Sequence, residues 1–184
     1  MLFRSYFVQE AHCTTDNMYD WRAEWGYQAL FSCCSSKKAG VAMLFNNNFS
    51  FKITKSFSDP MGRFIICDLE TNGKLLTLAN LYGPNEDDAI FFTSFDRLSD
   101  FKCEEIIIGG DFNLVLDLEK DKKGGLARTH QKSLEVTKTF CEDLDLIDAW
   151  RVLHPDLSRF TWRQRRPEVH CRLDFFLVNQ SFFL

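Results

Sequence analysis

The segment 106–113 carries the residue pattern that most strongly suggests chemistry in this chain. Three isoleucines predict a buried strand, two glycines end it, and Asp111 and Asn113 follow two positions apart. Because extended backbone repeats every two residues, these two side chains are expected to point the same way while Phe112 points opposite. A carboxylate beside a carboxamide can hold a water, a metal ion or a phosphate oxygen. The alternative is a strand that ends in an Asx turn, which both residue types favour.

Polar residues also stand at three other predicted strand ends. Glu10 closes the first strand, and Tyr82 and Asn85 follow a later one. Arg172 and Asp174 interrupt a late apolar strand, where a buried unpaired carboxylate would be costly and would need a partner. Each residue also has a structural interpretation: Glu10 as a solvated strand end, Tyr82 as a half-buried interface tyrosine, and Asp174 as the salt-bridge partner of Arg172.

Composition suggests one intracellular domain. The 184 residues suit a single domain, and the high aromatic content of 15%, with 19 phenylalanines, suits a core between two sheets. A net charge of −4 argues against a broadly basic coat for nucleic acid, but it allows a local basic groove. Seven cysteines without a C-x-x-C pair predict reduced, mostly buried thiols; a metal site made by Cys33, Cys34 and His12 is the alternative. The chain shows no membrane-length apolar stretch and no signal peptide, so we expect a nuclear or cytoplasmic protein.

The elements that must position these residues follow from periodicity and turn residues. Asp16 or Asn17 begins a short helix that ends at Gly26, and a third helix runs over about 131–144. Between them, Asp87 or Asp88 caps a second helix that buries Ile90, Phe91, Phe95 and Leu98. The segments 46–48 and 71–73 are predicted hairpin turns. Strands are predicted at 6–9, 27–31, 40–45, 49–57, 63–70, 75–81, 106–108, 159–162 and 172–178. The pattern predicts an α+β fold, a four-layer α/β/β/α sandwich of two mostly antiparallel sheets.

Nine short segments resemble the endonuclease/exonuclease/phosphatase superfamily, which includes pancreatic deoxyribonuclease and the apurinic/apyrimidinic endonucleases. Within it, the chain is most similar to the endonuclease domain of LINE-type (non-LTR) retrotransposons. The segments occur in family order and cover nearly the whole chain. They are 8–12, 39–42, 62–63, 80–85, 109–113, 146–151, 154–155, 160–162 and 172–177.

The resemblance implies a role for each polar strand end. Glu10 matches the family's metal-binding glutamate and would hold Mg²⁺, with Mn²⁺ as an alternative. Asp111 matches the aspartate that orients or deprotonates the attacking water, and Asn113 matches the amide that contacts the phosphate. Tyr82 matches the tyrosine beside the scissile phosphate, and Asp174 matches the aspartate that orients a catalytic histidine. These roles require Glu10 and Asp111 to meet at one rim of the β core and share the metal ion.

The same resemblance implies that Asn85, Thr161 and Arg172 bind the substrate. The expected chemistry is in-line attack of water on a phosphodiester, with the metal ion and fixed donors stabilising the developing charge. The expected partner is the phosphate backbone of DNA, and we expect a monomer that does not bind membranes.

The sequence also departs from the family. We expect one incomplete domain over 1–184 that lacks the family's first strand, which carries an asparagine, and its last strand, which carries Ser-Asp-His. None of the four histidines stands in that context, and Cys171 replaces a serine usual before the Arg-Leu-Asp strand. Loss of a general acid or base lowers a rate by about 10²–10⁴. The sequence therefore predicts a weakly active or inactive nuclease, from a fragment or a decayed copy of a mobile element.

Two basic runs have two interpretations, and the function has two alternatives. The runs are Arg163, Arg165, Arg166 and Arg172, and separately Lys120, Lys122 and Lys123. Each run is either a loop that holds phosphates on one side of the cut or an ordinary polar surface loop. The competing functions are a phosphatase of the same superfamily, acting on an inositol phosphate or a lipid headgroup, and a non-catalytic relic that only binds nucleic acid.

Overall fold

The computed structural model describes residues 5–35, 37–101, 105–125 and 130–183, apart from the side chain of Asp96. The fold is mixed α/β with two main sheets and few helices, which confirms the predicted class. Two compact units make up the chain. Unit 1 is Met1–Tyr82 with Leu98–Gly110, and unit 2 is Gly83–Arg97 with Asp111–Leu184. No helix in the described part is long and apolar enough to cross a membrane.

Unit 1 is built from two sheets. One has the order β1-β3-β2, with both pairs antiparallel, and the other contains β4-β5-β6-β7 in that order. Asp111, the last residue of β7, already belongs to unit 2. The elements are β1 Ser5–Val8, α1 Met18–Trp25, β2 Ala29–Ser32, β3 Val41–Phe45, β4 Lys52–Ser58, β5 Phe64–Thr71, β6 Lys74–Tyr82 and β7 Glu105–Asp111.

The core of unit 1 explains why β3 reads as an unbroken apolar run. All five of its residues are buried. Val41, Met43 and Phe45 pack against residues of β5 and β6, while Ala42 and Leu44 pack into a second cluster with residues of β2 and α1. A strand covered on both faces needs no polar alternation. Each large side chain buried in this way contributes about 1.5–3 kcal/mol.

The two predicted hairpin turns have opposite outcomes. Asn72 and Gly73 have φ angles of 51° and 74°, and Thr71 pairs with Lys74, so the β5–β6 hairpin is confirmed. The hairpin predicted at 46–48 is wrong. The strand before it pairs with β1 and β2, while the strand after it pairs with β5, so this segment passes from one sheet of unit 1 to the other.

Unit 2 contains shorter elements, several of which the periodicity did not show. The pairs β12–β9, β10–β11 and β11–β8 are antiparallel, and β10-β11-β8 is the order of a three-stranded sheet. The strand predicted at 159–162 is wrong, because β10 begins where that prediction ended. The elements are α2 Ala89–Thr93, β8 Lys122–Lys123, α3 Gln131–Asp143, β9 Leu146–Asp148, α4 Ala149–Leu153, β10 Trp162–Arg165, β11 Glu168–Cys171 and β12 Asp174–Asn179, with a 3₁₀ turn at Gln180–Phe183. A second 3₁₀ turn, Ser94–Asp100, begins in unit 2, and its last three residues belong to unit 1.

Two adjacent aspartates accept backbone hydrogen bonds from the first turns of two different helices of unit 2. Asp88 caps α2, where its side chain accepts a hydrogen bond from the backbone of Phe91 at 3.1 Å. Asp87 instead accepts from the backbone N–H of Ser133 at 2.8 Å, in the first turn of α3. Of the four residues predicted to be buried by the second helix, Phe95 and Leu98 are each 3% exposed, Phe91 is half-buried, and Ile90 is 83% exposed, so the prediction is wrong at Ile90.

The cysteines of the described part are free thiols. Cys13 is fully buried, and burial, together with its neighbour Cys33, raises the pKa of its thiol to about 12. Burial likewise raises the pKa of Cys141 to about 12. Cys103 lies outside the described residues.

Candidate active site

Glu10 follows directly on β1 and is held by the end of β6. Its backbone has a φ of 50°, in the left-handed region that non-glycine residues rarely adopt. The Tyr82 hydroxyl, on a residue that is 8% exposed, donates to Glu10 Oε1 at 2.6 Å. The side chain of Glu10 is otherwise exposed. Unit 1 therefore presents an accessible carboxylate with one oxygen fixed by a buried phenol.

A buried amide fixes the strand that delivers Glu10. Asn80 is fully buried in β6, and its Nδ2 donates to the carbonyl oxygens of Val8 and Ala42 at 3.2 and 3.0 Å. Its Oδ1 accepts from Gln9 Nε2 at 2.5 Å. Sequence reasoning overlooked Asn80 as a positioning residue. The signal in the sequence was a single amide inside the apolar run of β6. A buried amide needs hydrogen-bond partners, because burial without them is costly.

Tyr82 is itself fixed on two sides. Its backbone N–H donates to the carbonyl of Arg63 at 2.7 Å, and the Arg63 guanidinium lies 5.0 Å from the centroid of its ring. A cation over the ring face is an attractive contact. It also places a positive charge next to the tyrosine that the resemblance assigns to the scissile phosphate.

Asp111 and Asn113 form a turn at the mouth of β7, which is the Asx-turn alternative considered from the sequence. Asp111 Oδ1 accepts from the backbone N–H of Asn113 at 2.9 Å, which is an Asx turn. Asn113 has a φ of 50°, so the alternation of an extended strand does not continue to it. Its Nδ2 donates to the carbonyl of Gly83 at 2.9 Å, while the Gly83 N–H donates to the carbonyl of Asp111 at 2.7 Å. The carboxylate and the amide are thereby held by backbone contacts.

Two positions around this turn require glycine, because a backbone carbonyl lies close to each Cα. A Cβ on Gly83 would lie 2.1 Å from the carbonyl oxygen of Phe112, and in unit 1 a Cβ on Gly110 would lie 2.0 Å from that of Leu81. No side chain fits at such distances. Phe112 points into the core of unit 2, where it is 2% exposed and stacks on Phe175 with ring centroids 3.9 Å apart.

A cleft of about 610 Å³ in unit 2 brings Asn85 and Asn113 together. Trp162 and Lys122 also line it, so amide, indole and ammonium groups face one space. A concave site in which a few polar groups converge is the usual form of a ligand site. The structure thus groups two of the polar residues predicted to contact phosphate.

Thr161 and Asp174 are in contact through the backbone. Thr161 Oγ1 accepts from the N–H groups of Leu173 and Asp174 at 3.0 and 3.2 Å, which leaves its hydroxyl proton to donate elsewhere. Asp174 is exposed, contrary to the expectation of a buried carboxylate in an apolar strand. Among the described residues, it forms no ion pair and no bond to a histidine.

The histidines of unit 2 are engaged elsewhere. His170 Nε2 lies 3.5 Å from Glu168 Oε1, and the ring of His154 lies 4.0 Å from that of Trp150. His130 precedes α3 at its N-terminal boundary.

Arg172 is the predicted site residue that the structure places differently. Its guanidinium is 3% exposed and donates from Nε and Nη2 to the two carboxylate oxygens of Asp121, both at 2.8 Å. Nη2 also bonds Asp148, and Arg151 pairs with the same Asp121 carboxylate. A buried, doubly paired guanidinium cannot reach substrate, so the assignment of Arg172 to substrate binding is wrong, as is its pairing with Asp174.

The pKa of Arg172 reflects this environment. Burial alone would lower it, but hydrogen bonds to Asp121 and Asp148 outweigh burial and raise the pKa above its usual value. Nη1 has no hydrogen-bond partner in the described part, and the guanidinium lies 5.4 Å from the Phe175 ring centroid. Asp121 was not identified from the sequence, since it stands between two lysines and looks like part of a solvated charge run.

The residues present fit a hard divalent cation at Glu10. Within 5–35, 37–101, 105–125 and 130–183, no three His, Cys, Asp or Glu side chains form a cluster able to hold a metal. Mg²⁺ does not need one, because it keeps several waters and binds through one or two carboxylates. Glu10 is in unit 1 and Asp111 in unit 2, and that their carboxylates meet stays a prediction.

Comparison with known proteins identifies the family. Residues 6–184 match the model of the Endonuclease/Exonuclease/phosphatase family. The chain belongs to this family. A curated relative, the transposon TX1 uncharacterized 149 kDa protein of Xenopus laevis, is 29% identical over 160 residues, which are 85% of this chain and 12% of that protein. The chain thus spans about an eighth of that relative.

Solved structures share the fold. The AP endonuclease LMAP from Leishmania major superposes with a TM-score of 0.73 at 19% identity, over 96% of this chain and 70% of that one. The endonuclease domain of TRAS1, a telomere-specific non-LTR retrotransposon, gives a TM-score of 0.65 at 15% identity, over 98% and 74%. At these identities the two solved structures show a shared fold, and the family is generally dependent on divalent metals.

Proposed function

We propose that this chain is a metal-dependent phosphodiester hydrolase of retrotransposon origin that acts on DNA with low activity. The observation that carries the proposal is the turn of unit 2 in which backbone contacts fix the Asp111 carboxylate and the Asn113 amide. Family membership adds support, since such a turn in an unrelated protein would be an ordinary strand end. The likeness to TRAS1 and to the TX1 protein favours a retrotransposon origin.

Each unit contributes different groups to the proposed reaction. In unit 1, Glu10 would hold Mg²⁺ or Mn²⁺, and the Tyr82 hydroxyl keeps one carboxylate oxygen oriented. The bound metal would stabilise negative charge on the phosphate oxygens. In unit 2, Asp111 orients and deprotonates the attacking water, while Asn113 and Asn85 donate amide N–H groups to phosphate from the wall of the cleft.

The low activity that we propose follows from the surroundings of the Asp174 carboxylate. Its carboxylate is exposed and bonds no histidine in the described part of the chain. Without such a partner, no imidazole protonates the leaving oxygen. A missing general acid lowers a rate by about 10²–10⁴. The same observation favours the second candidate, a module that binds DNA without cutting it.

The test is nicking of supercoiled plasmid by the 184-residue chain with Mg²⁺ or Mn²⁺. We expect slow nicking that EDTA stops and that Asp111→Asn and Glu10→Gln each lower at least tenfold. The matched controls are Asp143→Asn in unit 2 and Glu70→Gln in unit 1, which alter exposed carboxylates away from the proposed groups and should leave the rate unchanged.

Three outcomes would overturn the proposal. Equal nicking by wild type and Asp111→Asn would show that the cut comes from a contaminant or another site. Phosphate release from inositol phosphates that exceeds cutting of DNA would instead favour a phosphatase. DNA binding with no metal-dependent product would favour the non-catalytic module.

A further inference from the structure

Three cysteines of unit 1 lie where the end of β2 meets the segment that follows Glu10. The backbone N–H of Cys34 donates to the carbonyl of Cys13 at 3.1 Å. The thiol of Cys13 donates to the carbonyl of Ser32 at 3.6 Å. These two contacts are with the residues immediately before and after Cys33, so they place Cys13 beside Cys33.

The two clusters of the core distinguish Cys33 from its neighbour Cys34. Cys13 is fully buried in the hydrophobic cluster that contains residues of β2 and α1, and Cys33 packs against this same cluster. Cys34 packs instead against the cluster formed with residues of β5 and β6. Because successive side chains of an extended segment point to opposite faces, Cys33 and not Cys34 shares the surroundings of the Cys13 thiol.

Cys13 and Cys33 differ in their access to solvent. Cys33 is half-buried, whereas Cys13 is fully buried, so a reagent in solution meets Cys33 first. Burial raises the pKa of the Cys13 thiol, which makes it a weak nucleophile toward dissolved reagents. A reaction between the two cysteines is intramolecular, however, and proximity offsets weak nucleophilicity.

We propose that Cys13 and Cys33 are a redox-active pair that hydrogen peroxide converts into a disulfide. The Cys33 thiol first gives up its proton, and the thiolate sulfur attacks one peroxide oxygen. The O–O bond breaks, Cys33 becomes a sulfenic acid, and the other oxygen leaves as water with the proton that Cys33 lost. The Cys13 sulfur then attacks the sulfenic sulfur, the S–O bond breaks, and the oxygen leaves as a second water with the Cys13 proton. Two thiols are thereby oxidised to one disulfide, and one peroxide is reduced to two waters.

The disulfide would fasten α1 to the rest of unit 1. This helix lies between the two cysteines, and each of its residues is at least partly exposed. Only partial burial of Met18, Trp21 and Trp25 packs it against the sheet. A cross-link that closes a loop of about 20 residues restricts the unfolded chain and so stabilises the folded one.

The experiment treats the native 184-residue chain with hydrogen peroxide, blocks the remaining thiols and maps disulfides by tryptic digestion and mass spectrometry. Trypsin cuts after Arg22, which lies between the two cysteines, so their disulfide appears as peptide 5–22 linked to peptide 23–37. We expect this linked pair to be the main disulfide species in the native chain, and a dithiol reductant should remove it. In a chain unfolded in urea, the pair should no longer predominate.

Cys33→Ser and Cys34→Ser are the matched variants, because they change adjacent half-buried thiols. Cys33→Ser should lower the yield of the linked pair at least tenfold, whereas Cys34→Ser should leave it unchanged. Peroxide should also raise the midpoint of thermal denaturation of the wild type and of Cys34→Ser by several degrees, but not that of Cys33→Ser. The circular dichroism of each reduced variant should match that of the wild type, which excludes a folding defect.

An undiminished linked pair in Cys33→Ser would overturn the proposal, because Cys34 would then be the partner of Cys13. Absence of the pair from the peroxide-treated native chain would overturn it as well, as would disulfides formed only between two chains. Equal yields from native and urea-unfolded chain would show that the fold does not bring the two thiols together. No outcome depends on nicking, so this inference and the proposed hydrolase can fail separately.

Discussion

Replacing Asp121 with asparagine should be among the most damaging single changes in this chain. Its side chain is 1% exposed and accepts hydrogen bonds from both Arg172 and Arg151. The asparagine side chain would keep the shape but remove the charge. Arg172 would then keep one carboxylate partner, that of Asp148, which is 12% exposed, and Arg151 would lose the carboxylate with which it pairs.

The magnitude follows from the burial of this network. Breaking a buried ion pair by removing one partner costs about 3–5 kcal/mol, because the other charge is left uncompensated. An exposed pair would cost only about 0–1 kcal/mol. A loss of about 4 kcal/mol is a large fraction of the roughly 5–15 kcal/mol that stabilises a typical domain. With a slope of about 2 kcal/mol per M, the midpoint of urea denaturation should fall by about 2 M.

The assay is urea denaturation followed by tryptophan fluorescence and by circular dichroism. Asp143→Asn, at the exposed end of α3, is the matched control and should change stability by less than about 0.5 kcal/mol. The double variant Asp121→Asn with Arg172→Met should lose clearly less than the sum of the two single losses, since the residues share one network. A loss under about 1 kcal/mol for Asp121→Asn would refute the reasoning, because it would mean that water solvates these charges.

Three further predictions concern groups outside that network. The Cys13 thiol should react slowly with a thiol reagent at about pH 8 and rapidly in denaturant. Burial raises the pKa of this thiol from 9.0 to about 12, so the contribution of the protonated thiol to stability is fully present below pH 9.0 and should be lost as the pH rises toward 12. The backbone N–H of Ser133 lowers the pKa of Asp87 below 3.8, so the contribution of this carboxylate to stability is present above pH 3.8 and lost on acidification. In an acid titration followed by circular dichroism, the Asp87→Asn variant should lose this part of the pH dependence of stability. Tyr82→Phe removes the hydroxyl that holds Glu10, and the Mg²⁺ concentration for half-maximal nicking should rise several-fold; an unchanged metal dependence would contradict that role.

Local chemistry is what the sequence predicted best. The turn at Asp111 and Asn113 and the hairpin at 71–73 depend on residues within a few positions of each other, and the structure has both. Strand positions in unit 1 were also predictable, because β3, β5 and β6 carry long apolar runs. The helix boundary at Gly26 follows from its left-handed φ of 74°.

Long-range pairing is what the sequence could not show. Asp121 and Arg172 are 51 positions apart, and nothing in a run of alternating charges marks one aspartate for burial. The start of β12 was predicted two residues early, because the backbone N–H groups of Arg172 and Leu173 bond Asp121 and Thr161 instead of a neighbouring strand. Arg172 matches the arginine of the family motif, but its side chain is buried and cannot bind substrate as the resemblance implied.

Burial and pairing together separate the carboxylates that can do chemistry from those that hold the fold. Asp121 is buried and satisfied by two guanidinium groups, so it has no capacity left for a metal ion or a water. Glu10 is exposed and has one oxygen fixed by a phenol, which orients it without neutralising it. Asp111 is half-buried, and the backbone N–H of Asn113 orients its Oδ1. A sequence motif does not distinguish between such carboxylates. Burial and ion pairing in the structure distinguish Glu10 and Asp111 from a structural carboxylate such as Asp121.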